Sequence, residues 1–120
     1  MSVGKIGIIT ATDFELTPFL NKMTITQTST KAMLQIHEGF YHGISAVSAF
    51  CGVCKVNAAI AAQIMISIFD VDQIIMIGVA GAIDPKLKIL DTVVSNEIVY
   101  HDVANEVLTH YHPWMKHPYF

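Results

Sequence analysis

Apolar and polar positions along this chain fall into two kinds of block. Lys5 to Ala11, KIGIITA, is a short and nearly continuous apolar run, the pattern of a strand buried on both faces. Thr12 and Asp13 follow as N-cap candidates, with Glu15 in the first turn of a helix that Pro18 keeps short. Lys22 to Lys31, rich in threonine, then Ala32 to His42 and Ile44 to Cys51, read as three strands, with Gly43 marking the turn before the third. Cys54 to Phe69 carries the clearest helical pattern, its alanines at 58, 59, 61 and 62 allowing close packing on a sheet. Gln73 to Val79 is a further buried strand, and Thr92 to Tyr100 a longer one. Val103 to Phe120 shows no clear period, and no internal repeat or linker divides the chain.

Apolar strands alternating with a helix predict an α/β sheet covered by helices, and the consecutive strands between 22 and 51 make that sheet mixed rather than purely parallel. Ligand sites in such sheets lie beyond the strand ends. Three segments are candidates for that edge: Thr12 to Glu15, Gly52 to Lys55, and Gly78 to Gly81. Gly78 and Gly81 suit either a close backbone approach to a ligand or a tight strand-to-helix turn. Glu15 is the first catalytic candidate, because a carboxylate just after a central strand can position or deprotonate a water. Its structural alternative is to complement the helix dipole.

Composition adds a constraint. Of 120 residues, 52% are hydrophobic and 14% charged, against roughly 25% charged in an average domain. So much apolar surface on so short a chain predicts association with another copy or with further sequence. No apolar run approaches the roughly 20 residues that span a bilayer, and the N-terminus resembles a first strand more than a signal peptide. A net charge of −3 without a basic patch disfavours nucleic acid. All seven basic residues are lysine, so no arginine is present to clamp phosphate in bidentate fashion.

The remaining chemistry-bearing groups point less sharply. Cys51 and Cys54 form a CxxC without the second pair of a structural zinc site, and buried thiols in a reducing cytosol are the expected reading. His110, His112 and His117 lack accompanying carboxylates beyond Glu106, which fits solvated histidines better than a metal site. Tyr100, His101 and Asp102 make a polar cluster, but no spacing presents a nucleophile to the histidine.

Taken together, KIGIITATDFE (Lys5 to Glu15), CGVCKVNAAIAAQ (Cys51 to Gln63), IIMIGVAGAIDPKLKILD (Ile74 to Asp91) and VVSNEIVYHD (Val93 to Asp102) resemble the N-terminal half of 5′-methylthioadenosine/S-adenosylhomocysteine nucleosidases, within the purine nucleoside phosphorylase superfamily. The resemblance implies a three-layer αβα fold with a mixed central sheet, incomplete in this chain, and residues 1–120 forming half of one domain. It implies hydrolysis of the N-glycosidic bond of methylthioadenosine and S-adenosylhomocysteine with release of adenine, without metal or organic cofactor, in a cytoplasmic homodimer. By the same resemblance Glu15 positions the water, Val53 lines the ribose and alkylthio pocket, and Val79, Ala80 and Gly81 approach sugar and base. Asn105 and Leu108 fall where the family lends pocket residues to its partner subunit. The family's aspartate acid, its ribose-binding Met-Glu pair and its adenine-stacking aromatic belong to a second half that this sequence lacks. The chain alone is therefore expected to be inactive.

Departures from the family pattern are local. Cys54 and Ala82 stand where glycines are usual, Leu90 replaces another glycine, and Thr12 occupies the place of a methionine that touches the ribose. Phosphorylases of the superfamily place an arginine-containing phosphate loop where this chain has Asp13 and Glu15, so hydrolysis is favoured. A non-catalytic module that binds nucleosides or mediates dimerisation, or half of a phosphorylase, are the alternatives.

Overall fold

The computed structural model describes residues 4–98. Contact density divides the chain after Gly81 into two compact units. The first contains all the regular elements found among the described residues: β1 (Ile6–Thr10), α1 (Asp13–Leu20), β2 (Met23–Lys31), β3 (Leu34–Tyr41), β4 (Ile44–Phe50), α2 (Lys55–Phe69) and β5 (Gln73–Met76). They form an α/β fold around one five-stranded mixed sheet of order β2-β3-β4-β1-β5. β1 is central and parallel to both neighbours, with Ile9 opposite Ala49 and Met76. β2, β3 and β4 run antiparallel, with a register irregularity between Ile25 and Gln27.

Strand periodicity sorts the core onto two faces. Ile9, Val47 and Ala49 share a cluster with Ala61, Met65 and Phe69 of α2, and with Leu34 and Ile36. Those three α2 residues lie four apart on one side of the helix, where full burial of Met65 or Phe69 contributes about 2 kcal/mol each. The alternate positions Ile8, Thr10, Ala46 and Ser48 are buried on the opposite face, and α1 buries Leu16 near β1, β4 and β2. Helices thus cover both faces, as the two parallel crossovers around β1 require. At the far end of α2, Lys5 Nζ donates to Phe69 O at 2.8 Å and Asp70 takes a left-handed cap with φ 50°.

Most expected elements are present within two or three residues. Pro18 neither starts nor ends α1; it sits inside the helix, which continues to Leu20. The strand expected over Thr92 to Tyr100 is absent from its described part: residues 92–98 have no ladder partner, and Val93, Val94 and Ile98 are exposed. β propensity alone does not make a strand without a neighbour to share its hydrogen bonds. In the second unit, residues 82–98 form irregular turns pinned by Asp84 and Asp91, whose carboxylates accept from the backbone N–H of Lys86 and Lys88. Tyr100, His101, Asp102, Asn105, Leu108 and the three C-terminal histidines lie outside the described residues.

Candidate active site

β1, β4 and β5 are parallel and in register, so their C-terminal ends reach one edge of the sheet. Two backbone bonds bind that edge together: Cys51 N–H donates to Thr10 O at 2.8 Å, and Ile77 N–H donates to Ile9 O at 2.9 Å. The three segments singled out from the sequence therefore leave the sheet side by side.

Glu15 stands at their centre. It is residue N3 of α1 in a reciprocal capping box with Thr12: Glu15 N–H donates to Thr12 Oγ1, and the Glu15 carboxylate accepts from Thr12 N–H. The dipole-complementing role is real, yet it uses only one of the two oxygens. Oε2 accepts from Ala11 N–H at 3.1 Å and from Thr12 N–H and Oγ1 at 2.9 Å each. Oε1 reaches across to β5's extension and accepts from Val79 N–H at 3.0 Å. A carboxylate oxygen has two acceptor sites, so Oε1 retains capacity for one more donor while Oε2 is saturated.

These bonds favour the charged form. The Val79 N–H, then the Thr12 hydroxyl, hold the Glu15 carboxyl below its ordinary value of 4.5 against a smaller opposing effect of desolvation. Glu15 is therefore an ionised acceptor at neutral pH and a weak base. It can orient a water and stabilise a nearby cation better than it can abstract a proton early in a reaction.

Gly78 faces this carboxylate directly. A Cβ at Gly78 would meet Glu15 Oε1 at 2.9 Å, so the close approach inferred from its glycine is to the catalytic candidate itself. Gly81 has open space around it, Val79 is exposed at 90%, and Ala80 is exposed as well. Val53, in the β4–α2 turn, is also exposed. The apolar candidates thus stand around the strand ends with their side chains uncovered.

One expectation needs correction. Cys51 is buried but Cys54 is exposed, because Cys54 is the N-cap of α2 and its chain turns outward with φ 85° and ψ 161°. Sequence reasoning also missed Thr12 as the residue that fixes the Glu15 carboxylate; a Thr-x-x-Glu spacing opening a helix was the available signal. Among the described residues no group of three His, Cys, Asp or Glu is placed to hold a metal ion, and no helix is long and apolar enough to cross a membrane.

Three parallel strands ending beside one ionised carboxylate place the candidate site at the C-terminal edge of an α/β sheet. Residues 5–120 match the family described as the Phosphorylase superfamily, and the chain belongs to it. Within that family, it is 38% identical over 98 residues to the 5′-methylthioadenosine/S-adenosylhomocysteine nucleosidase of Maridesulfovibrio salexigens, covering 82% of this chain and 42% of that protein. The crystal structure of the corresponding nucleosidase from Colwellia psychrerythraea, in complex with adenine, superimposes with a TM-score of 0.85 at 36% identity, covering 89% of this chain and 44% of its own. Futalosine hydrolase of Helicobacter pylori has the same fold, with a TM-score of 0.80 at 32% identity over 90% of this chain and 47% of that one. This chain thus spans less than half the length of each.

Proposed function

We propose that this chain supplies the water-positioning part of a nucleosidase that hydrolyses the N-glycosidic bond of 5′-methylthioadenosine and S-adenosylhomocysteine. The observation that carries the reading is the Glu15 carboxylate, ionised, pinned from the turn after β1 and from the segment after β5, and left with an open acceptor site on Oε1. In the reaction the C–N bond breaks with its electron pair leaving on adenine, and the water oxygen bonds to the anomeric carbon as its proton passes to the Glu15 carboxylate. Glu15 holds that water and offsets the positive charge developing on the ribosyl ring. Val53, Val79, Ala80 and Gly81 are the surfaces against which sugar and base would lie. The proton that adenine needs comes from an acid outside this chain, so residues 1–120 alone are inactive in this reading.

Hydrolysis is favoured over phosphorolysis by charge. Asp13 and Glu15 occupy the turn where an incoming phosphate would be received, and the chain has no arginine to offset them. The adenine complex of the Colwellia relative and the nucleosidase name of the Maridesulfovibrio relative support the substrate class. We also propose a homodimer: Val56, Ile60 and Ile66 of α2 are exposed, and Asn105 and Leu108 would be lent to the partner's pocket.

The test is a chimera in which residues 5–120 replace the matching part of the Maridesulfovibrio nucleosidase. It should release adenine from methylthioadenosine at a rate independent of phosphate, and Glu15→Gln should abolish turnover while nucleoside binding persists. A folded chimera that releases no adenine, or only with phosphate, overturns the reading.

A further inference from the structure

The turn between β4 and α2 holds two thiols in opposed environments. Cys51 continues β4, is buried, and turns its Sγ back on Gly52 O at 3.1 Å. Cys54, three residues on, is exposed and caps α2, yet its side chain makes no capping hydrogen bond. Its backbone, at φ 85° and ψ 161°, occupies a region that essentially only glycine enters. The cysteine at 54 therefore returns neither packing nor a cap for the strain it imposes. A group kept in that position at such a cost points to chemistry rather than architecture.

The two thiols also sense one another. Burial pushes the Cys51 thiol up, a hydrogen bond from its own backbone partly opposes this, and the neighbouring charges of Cys54 and Glu15 push it further up. Gly52, with φ 82°, folds the chain between them. An exposed thiol with a buried one three residues before it in the chain can act as the attacking and the resolving cysteine of a disulfide exchange.

We propose that Cys51 and Cys54 form a dithiol–disulfide site that exchanges with small-molecule disulfides such as oxidised glutathione, Cys54 attacking and Cys51 resolving. The Cys54 thiolate attacks one sulfur of the small disulfide, forms a mixed disulfide and expels a thiolate, which takes up the proton Cys54 released. Cys51 then loses its proton and attacks Cys54 Sγ, forming the internal bond and expelling the second small thiolate. Two protein thiols are oxidised and one disulfide is reduced to two thiols. The closed ring contains Gly52 and Val53, so the oxidised turn presents Val53 in a different geometry from the reduced one. This proposal stands on the two cysteines and does not depend on the nucleosidase reading.

The experiment treats the full chain with oxidised glutathione under native conditions and follows intact mass and peptide maps over time. The first adduct should form on Cys54, then disappear into a species lighter than the reduced chain by two hydrogen atoms, with a displaced Val53 methyl resonance. Cys51→Ala should stop at the Cys54 adduct, and Cys54→Ser should stay unmodified until denaturant is added. Initial modification of Cys51 in the wild-type chain, or a Cys54 adduct that never resolves, overturns the proposal. The wild-type time course decides the matter even if a variant fails to fold.

Discussion

Val79 and Glu15 are separated by 64 positions in the chain, and the Val79 N–H donates to Glu15 Oε1 at 3.0 Å. This bond joins α1 to the segment that follows β5, across the edge where β1, β4 and β5 end. It is possible because Gly78 has no side chain to displace the carboxylate. The candidate site is therefore held by backbone donors on both sides of a single acidic group.

Gly78→Ala tests that relationship. The added methyl would meet the end of a flexible side chain, so Glu15 should swing away at a stability cost within about 1 kcal/mol. The Val79 bond is the largest influence lowering the Glu15 carboxyl. Carbon-detected titration of the Glu15 carboxyl should show its pKa moving up toward 4.5 in the variant, with little change in the urea midpoint. An unchanged titration would mean that the carboxylate does not depend on this approach.

Acid stability follows from the same group. Glu15 binds a proton less readily in the folded chain than in the unfolded chain, where its ordinary value is 4.5. Its contribution is thus fully present above that value and is lost as pH falls through the lower folded value. Urea unfolding of wild type and Glu15→Gln across pH should give a difference that is constant at neutral pH and shrinks in acid below about 4.5. A difference that grew on acidification would reverse the assigned direction.

Cys54→Gly should stabilise the chain. The substitution relieves a backbone strain of about 1–3 kcal/mol, against about 1 kcal/mol for the greater freedom of glycine when unfolded, so a net gain of about 1 kcal/mol is expected from φ 85° and ψ 161°. Cys54→Ala keeps the Cβ and should give no such gain. Equal midpoints for all three chains in urea would show that the conformation is unstrained.

Much of this site was legible because its parts are local in sequence. The apolar run before Thr12, Thr12 itself ahead of a helix and the glycine at 78 announce a strand end, a cap and a close approach. The three-segment convergence followed from topology, since parallel strands flanking β1 must end on one edge. What was not legible depended on tertiary partners or on unusual backbone. Thr92 to Ile98 has strand-like composition but no ladder neighbour among the described residues. Cys54 looked like a buried thiol because nothing in its residue type signals a positive φ. The turn between β2 and β3 carried no glycine or asparagine, so the two strands appeared to abut.

That turn supplies the last prediction. Lys31 pairs with Leu34, leaving Ala32 and Met33 as a two-residue loop with φ 43° and 64°. Both central residues lie on the positive side, the geometry of the tight hairpin turn whose twist matches the flanking strands and which favours Asn-Gly. The next hairpin meets the same demand with His42 and Gly43 at φ 48° and 82°, where a glycine takes the second place. Alanine and methionine pay for their Cβ atoms at about 1–2 kcal/mol each, and Met33 is exposed, so its removal sacrifices no packing. Ala32→Asn with Met33→Gly should therefore raise stability by roughly 1 kcal/mol after the entropy of the new glycine is subtracted. Urea unfolding measures the gain, and Ala32→Val, a β-branched residue in the same left-handed position, should shift the midpoint the other way. If both variants unfold at the wild-type midpoint, the turn is not strained and the hairpin register has another origin.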